Sequence, residues 1–167
     1  MPVLVNARNG MNIVGQGARI MLSAAPALAA AVWAHLRVPE LVRIPLPSSV
    51  LLPLGIVLLV PGVALWLTAV VQLLAGFPQG RLVTTGAYGV CRNPIYSSVG
   101  LLVLPGLSFL AGTWVYLAVG AALCLGVRLF IPVEERDLLR VFGEDYRRYT
   151  ERVHRIVPFG RPARGIA

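Results

Sequence analysis

Lysine is absent from this chain. All 15 basic residues among its 167 are arginines, set against seven acidic residues for a formal net charge of +8. Arginine-only usage suits anion recognition, but a coding bias is the plainer explanation, so the position of the charges says more than their identity. Charge of either sign is scarce: 13% of residues are charged and 57% hydrophobic, with a mean hydropathy of +0.76, where an ordinary soluble domain carries roughly 25% charged residues. That scarcity excludes a soluble globular domain and indicates an integral membrane protein. Acidic residues are missing from most of the chain, since only Glu40 lies outside Glu134 to Glu151. The C-terminal segment therefore reads as a separate, water-facing element. The two cysteines, Cys91 and Cys124, have neither metal-ligand nor CxxC spacing, which removes any disulfide framework. No G-x-G-x-x-G follows a strand-like segment, which argues against a Rossmann-type nucleotide site. No nucleic-acid partner is expected, and the oligomeric state is left open.

What is present is apolar sequence in long runs. The first run extends from about Ile20 to Leu36, and the second from Val50 to Phe77 without a charge, with Pro53 and Pro61 as entry or kink sites. From Ile95 to Val127 there is again no charged residue. One helix of that length would be about 50 Å long, too long for a single crossing of a hydrocarbon core about 30 Å thick. Pro105, Gly106 and Gly112 break the run, which predicts two short helices, about Pro94 to Leu110 and Thr113 to Ile131, joined as a tight hairpin. The expected fold is an all-α polytopic membrane bundle of about four transmembrane helices with a C-terminal amphipathic helix. Its expected divisions are an N-terminal arm (1–18), a transmembrane domain (19–131) and a C-terminal helical segment (132–167).

Four spans place the arm, the loop Pro78 to Asn93 and the tail on one side, with Arg8, Arg19, Arg81, Arg92 and every arginine from Arg128 onward; only Arg37 and Arg43 lie on the other. The positive-inside tendency then puts both termini and the "RNP" loop in the cytosol. In the tail, Leu138, Leu139, Phe142, Tyr146, Tyr149 and Val153 recur at helical steps. Pro132 suits a first turn there, and Gly143 is expected to break or bend the helix. Spacing alone describes a helix resting on anionic lipid through Arg136, Arg140, Arg147, Arg148 and Arg152. Arg92 alone suits a lipid phosphate, Asn93-Pro94 is ordinary helix-entry chemistry, and Arg128 reads as an anchor at the membrane edge. Tyr146 and Tyr149 read as packing residues, and His35 and His154 take no catalytic role.

The ordered set Gly86, Tyr88, Arg92, Asn93, Pro94, Tyr96, a hairpin, then Glu134, Glu135, Leu138, Phe142, Gly143, Tyr146, Tyr149, Val153, Arg155 and Pro158 resembles the membrane methyltransferase family that includes isoprenylcysteine carboxyl methyltransferases and phosphatidylethanolamine N-methyltransferases. The resemblance runs from about Leu82 to Phe159, and its specificity lies in the order rather than in any single piece. It implies an S-adenosyl-L-methionine-dependent enzyme acting on an amphiphilic or lipid-like acceptor, either an isoprenylcysteine-type carboxylate or a phospholipid amine. The implied partners are membrane lipids and a lipid-like or prenylated acceptor, with the active site cytosolic. The implied cofactor residues are Gly86, Tyr88, Arg92, Asn93, Pro94, Tyr96, Glu134 and Glu135, with Glu134, Glu135 and Arg92 carrying the chemistry. Carboxylates suit the cofactor's ammonium and ribose, Arg92 its carboxylate, and the tyrosines its adenine or sulfonium. Asn93 stands where the isoprenylcysteine enzymes have histidine, so no proton-transfer base exists at that position. An NADPH-dependent sterol-reductase-like enzyme and a non-catalytic lipid-binding module are the alternative readings.

Overall fold

A computed structural model describes residues 5–6, 11–76 and 79–156, with side chains from Arg19 onward. Residues 1–4 and 7–10 of the expected arm (1–18) fall outside that range, as does Pro158. Two two-residue strands, β1 (Val5–Asn6) and β2 (Met11–Asn12), pair antiparallel. The remaining elements are helices: α1 (Ile13–Arg37), α2 (Pro39–Val42), α3 (Ser48–Gly76), α4 (Ala87–Val90), α5 (Pro94–Ser98), α6 (Leu104–Leu110) and α7 (Val115–Arg152), with a π-helical turn over Val99–Val103 joining α5 to α6. The molecule is an all-α membrane bundle. Three helices, Arg19–Arg37, Ser48–Gly76 and Val115–Arg152, are long and apolar enough to cross a bilayer, and the apolar helix Pro94–Leu110 is shorter.

The hairpin forms where the sequence breaks. Gly112 adopts φ +64° between α6 and α7, and Thr113 Oγ1 and the Trp114 N–H donate to the Val42 carbonyl, tying the turn to α2. The hairpin is the centre of the bundle. Helix α1 packs on α7, α3 packs on the Pro94–Leu110 arm, and the two arms pack on each other. In lipid such contacts depend on close approach rather than on expulsion of water, so small residues mark them. A Cβ on Gly120 would lie 2.6 Å from the Gly100 carbonyl oxygen, and one on Gly126 would lie 2.5 Å from Ser23 Oγ. Ile20, Ala24, Val119, Leu123, Val127 and Ile131 fill the α1–α7 seam. Helix α1 runs antiparallel to α7, with Ser23 beside Gly126 and His35 beside Tyr116.

The tail departs from expectation at its start. Pro132 does not begin a new helix, because α7 continues through it from the membrane span into the charged segment. Ile131 and Glu135, one turn apart on the same face, are both buried there, so packing outweighs the loss of one backbone hydrogen bond at proline. The expected bend appears at Gly143, whose φ of 53° and ψ of −124° lie where a side chain is strained. Arg128 is exposed, in keeping with an anchoring role.

Candidate active site

The site lies at the end of the bundle where α3 and the apolar part of α7 finish. Apolar sequence in α7 stops at Ile131, and the helix then carries Glu134 and Glu135. Glu135 faces inward and is 2% exposed. Arg155 grips both its oxygens in a fork: Nε donates to Oε1 at 3.1 Å and Nη2 donates to Oε2. Arg92 Nη2 lies 3.3 Å from the same Oε1. "RNPIY" and "EE", about forty residues apart in sequence, thus converge on one carboxylate. Side-chain exposure is 8% for Arg92 and 32% for Arg155. One carboxylate between two guanidiniums leaves an excess positive charge. Arg92 Nε is buried with no hydrogen-bond partner among the described residues. A buried donor left unpaired is costly, so this corner suits an incoming anion.

The chain following α7 closes the site from above. The Arg92 backbone N–H donates to the His154 carbonyl at 2.7 Å, and Asn93 Nδ2 donates to the Arg155 carbonyl at 3.0 Å. The Asn93 side chain therefore does not cap α5, which has no side-chain cap, although Pro94 does occupy the first turn. Tyr146 and Tyr149 are buried, their rings 6.0 Å apart. Tyr149 also makes a polar contact that packing alone does not require, its hydroxyl donating to the Tyr88 carbonyl at 2.7 Å. Gly86 stands before α4 with φ 64° and ψ −126°. Tyr88 and Tyr96 are both half-buried, and Tyr96 packs against the core.

Glu134 differs from its neighbour in every respect. It is half-buried and makes no ion pair among the described residues. Burial, reinforced by the charges of Glu135 and Asp137, pushes its carboxyl up to about 7. The two adjacent carboxyl groups are thus set apart, Glu135 held by two guanidiniums and Glu134 unpaired with its carboxyl pushed up by burial. Sequence reasoning did not find the role of Arg155, which was visible only as a motif position, or Gln72, the only amide in α3. A lone amide in an apolar span is itself a signal. The described residues hold no cluster of three or more side chains able to bind a metal. A cavity of about 320 Å³, lined by His35, Arg43, Phe109 and Thr113 among others, lies at the opposite end of the bundle and shares none of these groups.

No known family profile matches the chain. Over 88 residues it is 34% identical to methanethiol S-methyltransferase 1 of Bradyrhizobium diazoefficiens, a match covering 48% of this chain and 27% of that protein. The chain therefore aligns with little more than a quarter of the relative's length. With the apolar helices, this likeness supports a membrane methyltransferase.

Proposed function

We propose that the chain is an S-adenosyl-L-methionine-dependent membrane methyltransferase whose acceptor must lose a proton before it attacks, with a thiol, small or carried on an apolar group, as the first choice. The observation that carries this reading is the division between Glu134 and Glu135. A carboxylate acceptor, one of the two classes expected from the sequence resemblance, needs no base. A thiol, ordinarily ionising near 8.5, needs one of moderate strength, and an unpaired carboxyl at about 7 meets that need. The similarity to a methanethiol enzyme points the same way.

The donor set fits the cofactor. Arg92, with its unpartnered buried Nε, would take the carboxylate. Tyr88 and Tyr96 would offer ring faces to the adenine or the cation, and Gly86, Asn93 and Pro94 would shape the backbone around them. When bound, the cofactor supplies an electrophilic methyl group on a cationic sulfur. Glu134 would take the acceptor's S–H proton, and the thiolate sulfur would gain the methyl group as the methyl–sulfonium bond breaks, its electron pair leaving on the sulfur of S-adenosylhomocysteine. Glu135 has both oxygens engaged by Arg155 and Arg92, and serves to hold Arg92 in place rather than to bind the cofactor's ammonium. Burial of Arg92 and Glu135 limits water at this corner, which favours alignment of the reactants. The acceptor's apolar part reaches the site from the bilayer, and the site opens to the cytosol.

The test is a transfer assay. Purified protein is incubated with methyl-labelled S-adenosylmethionine and, separately, methanethiol, a longer alkanethiol, a prenylated cysteine and phosphatidylethanolamine. Label in the thioether supports the proposal. Label only in a carboxyl ester would refute the base role of Glu134. Protection against thermal unfolding by NADPH and not by S-adenosylhomocysteine would refute methyl transfer altogether.

A further inference from the structure

Helix α4 has only four residues, too few to satisfy its own backbone donors. Its first residue, Ala87, is 3% exposed, so the Ala87 N–H needs a partner. That partner comes from another element: Gln72 Oε1, on the half of α3 nearest the site, accepts this hydrogen bond at 3.1 Å. A backbone N–H can pair only with the carbonyl end of the amide, so the orientation of Gln72 is fixed and Nε2 is turned toward Gly86. A Cβ built on Gly86 would lie 1.9 Å from that Nε2. Glycine is thus required at this position twice, by its positive φ and by the amide occupying the space a side chain would fill. From the other side, Tyr149 of α7 donates to the Tyr88 carbonyl. The Gly86–Tyr88 segment is suspended between an amide on one helix and a phenol on another.

We propose that Gln72 is a positioning residue of the methyl-transfer site, holding Gly86–Tyr88 in the conformation that receives the cofactor. This rests on the methyl-transfer reading above. An amide within an otherwise apolar span costs insertion energy, and its hydrogen bond to the α4 backbone is the compensation visible in the structure. Tyr88 itself bears on the ligand, and Gln72 acts through it.

The test compares Gln72→Met, which keeps the length and shape without an acceptor, with Gln72→Glu, which keeps the acceptor. Affinity for S-adenosylhomocysteine is measured by calorimetry, and amide hydrogen exchange is followed over residues 84–90, both in detergent. Gln72→Met is expected to weaken binding about tenfold and to speed exchange in that segment by a similar factor, with exchange elsewhere unchanged. Gln72→Glu is expected to restore both. Wild-type affinity in Gln72→Met, or a Gln72→Glu protein as weak as Gln72→Met, overturns the proposal. Should Gln72→Met fail to fold, Gln72→Ser, too short to reach Ala87, takes its place: about tenfold weaker binding with faster exchange over residues 84–90 upholds the role, and wild-type binding refutes it. A wild-type protein that binds no S-adenosylhomocysteine refutes the methyl-transfer reading instead, and the exchange measurement still decides whether Gln72 holds the segment.

Discussion

Glu134 and Glu135 are neighbours in sequence, but a helix turns about 100° per residue. Only Glu135 therefore meets the two arginines. Replacing Glu135 with glutamine strands Arg92 and Arg155 beside each other without their counter-charge. The cost is expected at about 3–5 kcal/mol, the usual result of breaking a buried pair, moderated because Arg155 reaches water. Unfolding in detergent should show that loss together with abolished S-adenosylhomocysteine binding. Glu134→Gln should behave in the opposite way. The folded state favours the neutral form of Glu134, so this group stabilises the fold fully below the ordinary carboxylate value and loses that contribution as pH rises through about 7. The glutamine variant should consequently melt higher than wild type above pH 7 and show no advantage near pH 4. It should also lose most of the transfer rate and the rise of that rate through about pH 7, while cofactor affinity changes less than about threefold. Equal pH–rate profiles for the two proteins would remove Glu134 from the chemistry.

The deciding features among the elements are a bend and a crossing. At Gly143 the backbone leaves helical geometry, and the continuation brings Tyr146 and Tyr149 inward and carries Arg155 to Glu135. Nothing lies within 4 Å of a Cβ placed there, so strain and not collision is the penalty for alanine. Gly143→Ala should lower stability by about 1–3 kcal/mol and weaken S-adenosylhomocysteine binding, with circular dichroism showing unchanged helix content. At the hairpin crossing Gly120 tolerates no side chain, since the obstruction is the Gly100 carbonyl, whereas a Cβ on Gly100 would meet Cys124 Sγ at 2.9 Å. Gly120→Val should force the arms apart and destabilise the bundle by several kcal/mol, as overpacking of a tight interface does. The π-helical turn that contains Gly100 lies on the same arm as Tyr96, shortly after Arg92 in the chain, so a shift there would register at the site.

For the whole molecule, the structure places the start of α1, the α3–α4 connection and the charged part of α7 at one end. Which side of the membrane that end faces rests on the arginine distribution. In a protein lacking Cys91 and Cys124, Thr85→Cys should react with a membrane-impermeant maleimide only from the cytosolic side, and Ser49→Cys only from the other; the reverse pattern would invert the orientation. Much of this architecture was legible from residues alone. The uncharged run Ile95 to Val127 with its Pro-Gly break implied the hairpin, and the order of "RNPIY" and "EE" around it implied their meeting. The continuation of α7 through Pro132 was not legible, because local propensity opposes it and only burial of Ile131 and Glu135 overrides it. Nor was the Asn93 contact, which depends on where the chain goes sixty residues later. By itself the sequence determined class, spans and the meeting of two motifs, because hydropathy and helix-breaking residues act locally and in order along the chain. Only the tertiary structure decided the roles within the site: that Glu135 is fixed and Glu134 free, that Arg155 completes the ion pair, and that Gln72 reaches Ala87. Those roles depend on which face of each helix turns inward and on burial in a low-dielectric corner, quantities that exist only once the helices have packed.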